Sequence, residues 1–244
     1  SLGSNSTATG FRATAIGTVS KASARNSTAI GAQSSALGNY SGAFGTEANA
    51  SGLASMAFGA GSIANETGAI TLGVNSIASG ANSSAFGTEA NASAEDAIAF
   101  GYQAIANKVN AIAIGAEAIA TEVNATAFGD ATQATGSQST AIGAGALATA
   151  QNATAVGERA NASGTQSTSI GRASIASKSR TTALGASSKA TKDQATAIGV
   201  QAHASANRSI ALGSFANSSG ELSQAIGSSA MASGEYSAAI GPYA

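Results

Sequence analysis

Thr126-Ala127-Phe128-Gly129 decides the fold, because the chain writes it again every 14 residues. It returns as Thr140-Ala141-Ile142-Gly143, then Thr154-Ala155-Val156-Gly157, then Thr168-Ser169-Ile170-Gly171. Backwards the same step meets Ile114-Gly115, Phe100-Gly101, Phe86-Gly87 and finally Leu2-Gly3; forwards it ends at Ile240-Gly241. A large apolar residue followed by glycine occurs 18 times in one phase, without insertion or deletion. A period kept over a whole chain is the mark of a repeat architecture.

The large residues anchor the repeat. With Leu2 they are Ile16, Ile30, Phe44, Phe58, Leu72, Phe86, Phe100, Ile114, Phe128, Ile142, Val156, Ile170, Leu184, Ile198, Leu212, Ile226 and Ile240. Alanine precedes them almost everywhere, replaced by Thr71 and Ser169, and three residues before each anchor the side chain is small. Seven residues past the anchor a weaker frame appears, as in Ala120-Thr121, Ala134-Thr135 and Ala148-Thr149. Glycine often closes that half too, as at Gly10, Gly38, Gly136 and Gly220, and Leu37-Gly38 keeps a full anchor there.

A seven-residue step suggests a coiled coil. The 30 glycines defeat that reading, since each costs about 1 kcal/mol inside a helix. Small and large residues alternate instead at strand period. Each half-repeat reads as a short strand closed by a glycine that permits positive φ or close backbone approach. Two strands and two turns make one coil, and coils stack as parallel strands about 4.8 Å apart, giving a rod of roughly 80 Å. The expected fold is all-β, a two-sided parallel β-solenoid.

The alternation assigns the faces. The alanines of the two halves point at each other across a narrow interior. The anchor and the residue two before it, such as Ile98 with Phe100 and Ile112 with Ile114, point outward as an apolar stripe. The second sheet is expected to show Ser, Thr and mixed residues such as Asn161, Lys189 and His203. Alanine buries too little area for a thick core, so the anchors must supply most of the burial. A stripe of that length needs a partner, and copies of the same chain are the common solution.

Composition excludes several classes. The chain of 244 residues carries a net charge of -1, against a generally basic nucleic-acid binder. It has no cysteine, which removes disulfide scaffolds and thiolate metal sites. No apolar run is long enough to cross a membrane as a helix, so direct membrane insertion by this segment is not expected. No basic-then-apolar leader opens it, so it reads as a mature segment without its signal. The strict phase speaks against low-complexity disorder.

The repeat Ser27-Thr28-Ala29-Ile30-Gly31 and its copy Ala111-Ile112-Ala113-Ile114-Gly115 resemble the YadA-like head of trimeric autotransporter adhesins. The resemblance covers essentially the whole chain, as one head domain over 1–244 of about 18 repeats. It implies a left-handed parallel β-roll, a homotrimer with the anchors at the trimer interface, and display on a Gram-negative outer membrane. It also implies adhesion to extracellular-matrix protein or host cells, without enzymatic activity. Thr replaces the family's frequent Val two before the anchor from Thr126 to Thr196, and the neck, stalk and membrane anchor that the resemblance implies are expected to lie outside residues 1–244.

No constellation for catalysis, metal or cofactor emerges. His203 is the only histidine and reads as an exposed structural residue. Glu95-Asp96 sit in a turn without a partner signature, and calcium-loop and phosphate-loop motifs are absent. Asn-x-Ser/Thr triplets such as Asn26-Ser27-Thr28 and Asn124-Ala125-Thr126 read as turn asparagines rather than glycan acceptors. Thr126, Thr140, Thr154, Thr168, Thr182 and Thr196 form a ladder of the kind found on ice-binding solenoids, but share their face with anchors expected to be covered.

Charge is uneven. Seven of the 11 basic residues are Arg159, Arg172, Lys178, Arg180, Lys189, Lys192 and Arg208, opposed between them only by Asp193. Glu89, Glu95, Asp96, Glu117, Glu122 and Asp130 form an acidic segment against Lys108. Lys178 and Lys192 share one repeat position, and Arg180 and Arg208 another. The basic belt is the candidate contact surface for an acidic glycan or an acidic matrix segment. The competing reading is a passive spacer within a surface fibre.

Overall fold

The computed structural model describes the whole chain, residues 1–244. It forms two compact units, Ser1–Asn124 and Ala125–Ala244. Both are all-β and built from one coil. Three-residue strands carry the anchors and two-residue strands follow, from Thr14–Ile16 to Ile112–Ile114 and Thr7–Ala8 to Ile119–Ala120 in the first unit. The second unit runs from Thr126–Phe128 to Ala238–Ile240 and from Gln133–Ala134 to Met231–Ala232. The chain has 17 long strands, one per full coil; Leu2, the eighteenth anchor, makes only an isolated bridge to Ile16.

Strands pair in parallel with the copy one repeat away, so each residue meets its own equivalent. Thr140, Ala141 and Ile142 lie beside Thr154, Ala155 and Val156, and Ile105 and Ala106 beside Ile119 and Ala120. This is a parallel β-solenoid with a 14-residue coil. The ladder continues around the corners: the Arg159 amide donates to the Ala144 carbonyl at 2.9 Å and the Gln194 amide to the Ser179 carbonyl at 2.9 Å. Turn amides are therefore satisfied between coils, as buried backbone requires.

The interior explains the small residues. Four side chains per coil point inward. In the coil of Phe128 they are Ala125, Ala127, Thr132 and Ala134, all fully buried. Alanine alternates there with serine because the hydroxyl finds a nearby carbonyl. Ser188 Oγ donates to the Gly185 carbonyl at 2.8 Å and Ser209 Oγ to the Ala206 carbonyl at 2.7 Å. A buried hydroxyl bonded within its own turn avoids the desolvation cost of an orphan group. Thr71 occupies an alanine position with its Oγ1 unpaired.

Most glycines fall into two kinds. Those after the anchor have φ between 120° and 154°, where a side chain is strained. Those of the second half, such as Gly10 and Gly136, have no positive φ. Their role is close approach alone, because a Cβ at Gly136 would fall on the Ala150 carbonyl. True left-handed turn residues lie elsewhere, two past each post-anchor glycine and again seven further on. They are mostly not glycine: Glu89, Gln103 and Arg159 in the first turn, Asn26, Asn124 and Arg180 in the second. Asn26 and Asn124, with φ of 55° and 57°, are turn asparagines as their triplets suggested.

Candidate functional site

The long-strand face presents the anchors outward. While the alanines beside them are fully buried, Leu72 is 53% exposed, Phe100 55% and Phe128 53%. Ile16 and Ile30 are exposed as well, with Phe44, Phe58, Phe86 and Ile114 half-buried against their coil neighbours. In the second unit Ile142, Ile170, Leu184, Leu212 and Ile240 are exposed, and Val156, Ile198 and Ile226 half-buried. Thr126, Thr140, Thr154, Thr168, Thr182 and Thr196 line up one per coil on the same face, half-buried between the anchors.

The short-strand face meets expectation in part. Asn161, Lys189 and His203 do hold its outward position, but the Ser/Thr position two residues further on does not belong to it. The two-residue strand ends at the alanine, so Thr121 and its equivalents fall past it. The outward position carries Ile63, Ile77, Ile105 and Ile119 in the first unit, and Leu147 and Ile175 in the second, all half-buried. Asn49, Asn91, Asn161 and Asn217 interrupt these rows with a buried, unpaired Oδ1. Beside Ile105 and Ile119, Glu89, Gln103 and Glu117 border a groove of about 380 Å³, where Gln103 Nε2 donates to Glu89 Oε2 at 2.6 Å.

His203 also departs from expectation. It is half-buried on the short-strand face, in register with Lys189. Burial, and then the Lys189 charge, hold the imidazole below its ordinary pKa of 6.5. Ser187, Lys189, Gln201, Ala202 and His203 line a hollow of about 230 Å³ whose walls include no carboxylate. A hydroxyl nucleophile needs a base that is itself oriented, and this group provides no orienting acid.

The seven basic side chains of the second unit are all exposed, but the coil divides them. Arg159 and Arg172 lie at the first turn, Lys189 on the short-strand face. Lys178, Arg180, Lys192 and Arg208 lie at the second turn. Arg180 and Arg208 share the left-handed position with Gln194 between them, at φ of 57°, 56° and 59° respectively. Asp193 sits within this row, its Oδ1 accepting from the Ser179 amide at 3.1 Å. Arg180 Nε donates to Gln166 Oε1 at 3.4 Å. The second-turn edge, rather than a belt, is where cations collect.

Coil length, parallel register and outward anchors together define a parallel β-solenoid with 14-residue coils. The family model described as the YadA head domain repeat matches residues 1–90, 92–118, 120–146, 148–216 and 218–244. The chain belongs to that family of bacterial surface adhesin heads. Among solved structures it is similar to the collagen-binding domain of the Yersinia adhesin YadA, at 25% identity and a TM-score of 0.29. That similarity covers 66% of this chain and 67% of the other. No curated protein matches.

Proposed function

We propose that this chain is the non-enzymatic adhesive head of a surface fibre, displayed from the outer membrane. It assembles as a homotrimer through the long-strand face and attaches to host extracellular-matrix protein or acidic glycan. One observation carries the reading: a single chain leaves Leu72, Phe100 and Phe128 half exposed while its interior holds only small side chains. Covering each anchor is worth about 1.5–3 kcal/mol, and repetition along the coils makes association through this face strongly favourable. The short-strand face and the turns remain for other partners. At the second turn Lys178, Arg180, Lys192 and Arg208 offer cations in rows, each worth a few tenths to about 1 kcal/mol against an anion. Only a multivalent partner is then held well.

The test is retention of the soluble head on immobilised matrix proteins and on heparin. At about 50 mM salt, where screening is weak, the head binds, and the charge-reversed variant K178E/R180E/K192E/R208E elutes early from heparin while keeping its oligomeric state. A head that flows through every surface at that salt overturns the adhesive reading. Retention of the reversed variant equal to that of the unmodified head overturns the role of the rows.

A further inference from the structure

The first coils hold a second cationic group that charge counting passes over, since Arg12, Lys21 and Arg25 are its only basic side chains. Phe11 and Arg25 occupy one second-turn position in successive coils, and Arg12 the next position along. The Phe11 ring is 64% exposed. Arg12 Cζ lies 5.2 Å from its centroid and Arg25 Cζ 5.8 Å. One ring thus gathers two guanidinium groups. Each gains a cation–π contact, but together they concentrate positive charge. No carboxylate relieves it, because the first acidic residue of the chain is Glu47, at the opposite turn. The second-turn row of the other unit differs, with Asp193 among its cations.

We propose that Phe11, Arg12 and Arg25 form an oxyanion-binding site for a carboxylated or sulfated saccharide. Guanidinium is a planar fork that meets carboxylate and sulfate oxygens in pairs. The ring restrains both forks, so less side-chain freedom is lost when an anion arrives. The surroundings suit a sugar rather than a bare ion. Asn39 and Tyr40 are exposed in the following coil. Asn39 Oδ1 is occupied by the Arg25 amide at 3.1 Å, which orients its Nδ2 as a donor. The Asn39 amide and Tyr40 hydroxyl supply partners for sugar hydroxyls, and the open edge of Phe11 an apolar surface for ring carbons. The site is independent of the Lys178 and Lys192 rows.

Binding of the whole head to two soluble fragments tests it: a hyaluronan tetrasaccharide, carrying carboxylates only, and a heparin tetrasaccharide, carrying both groups. At low salt the unmodified head binds at least one of them. R12Q/R25Q weakens that binding about tenfold, and F11L, which keeps both charges, weakens it by a smaller factor. K108Q, which removes an exposed cation that belongs to neither group, leaves binding of the fragment unchanged. Loss with the hyaluronan fragment marks a carboxylate site; loss with heparin alone marks a sulfate site. Equal affinity of R12Q/R25Q and the unmodified head, with the circular-dichroism spectrum preserved, overturns the proposal. So does failure of the unmodified head to bind either fragment, whatever its retention on matrix proteins. Loss in K178Q/K192Q but not in R12Q/R25Q transfers the site to the second unit and overturns it equally.

Discussion

The Phe44 and Phe58 rings stack on the long-strand face with centroids 4.8 Å apart and planes 7° from parallel. Their separation is the spacing between neighbouring strands, so the rings keep step with the coils. Phe86 and Phe100 keep it less closely, at 5.9 Å and 33°. The difference traces to Gly42, which stands where other coils have Thr, Ser, Ile, Met, Gln or Ala. A Cβ there would come within 2.6 Å of the Phe44 ring and 3.0 Å of Met56 Sδ. The missing side chain is what lets the Phe44 ring lie down.

Restoring a side chain at that position therefore displaces the ring. Gly42→Thr is expected to lower thermal stability by about 1–3 kcal/mol per chain through overpacking. Calorimetry checks it, and a midpoint equal to that of the unmodified head would show that the ring moves aside freely.

The anchors and the alanines predict opposite outcomes. Making Ile142 and Ile170 serine removes apolar surface from the outer face and weakens association, each lost contact worth up to about 1.5–3 kcal/mol. Ala141→Leu instead forces three extra carbons into a fully buried site, and the coil itself loses about 1–3 kcal/mol or more. Sedimentation and thermal melts separate the two. An unchanged association state in the serine variant, at unchanged melting, would contradict the assignment of faces.

Two neighbouring glycines should answer differently to substitution. Gly143 has φ +120° and a Cβ there would lie 2.7 Å from the Gly157 carbonyl carbon, so Gly143→Ala costs about 1–3 kcal/mol or more. Gly145 has φ +63° and only Arg159 Cγ nearby, at 3.6 Å. Asparagine already fills the equivalent position at Asn5 and Asn75, and Gly145→Asn is expected to change stability by under about 1 kcal/mol. Urea melts of both variants decide it.

His203 makes a pH prediction. Its folded pKa lies below the ordinary 6.5 through burial and the Lys189 charge, so the unfolded chain binds the proton more readily. Stability is then complete above pH 6.5 and declines as pH falls from there through the lower folded value. His203→Gln removes the decline. An NMR titration of the imidazole should show a midpoint below 6.5 that rises partway in Lys189→Met; a midpoint unmoved by that change would remove Lys189 as a cause.

What the sequence disclosed followed from uniformity. An alanine repeated beside every anchor could only be the narrow interior, and Ala127 and Ala141 are fully buried. On the short-strand face Asn161, Lys189 and His203 were placed correctly, but the isoleucine rows were missed, because the outward residue varies from Lys21 to Asn91 to Ile105 and so carries no period of its own. The left-handed corners were hidden for a related reason. Coil geometry imposes φ near 57° on Asn124, Arg180 and Leu222 alike, overriding the residue preferences on which turn reading relies. Only the recurring asparagines at Asn26, Asn82, Asn110 and Asn152 hinted at it. The rows of Lys178 with Lys192 and Arg180 with Arg208 were legible from the period, but Arg159, Arg172 and Lys189 were counted with them although they lie at the other turn and on the short-strand face.

The in-register ladder bears on heredity as well as on packing. Within either unit, duplicating or deleting one whole coil leaves Thr beside Thr, alanine beside alanine and every corner amide with its carbonyl. Losing a single residue turns each later side chain to the wrong face. Such a gene tolerates unequal recombination in multiples of one coil and little else. A change in the number of whole coils within a unit would then lengthen or shorten its ladder without redesigning a contact.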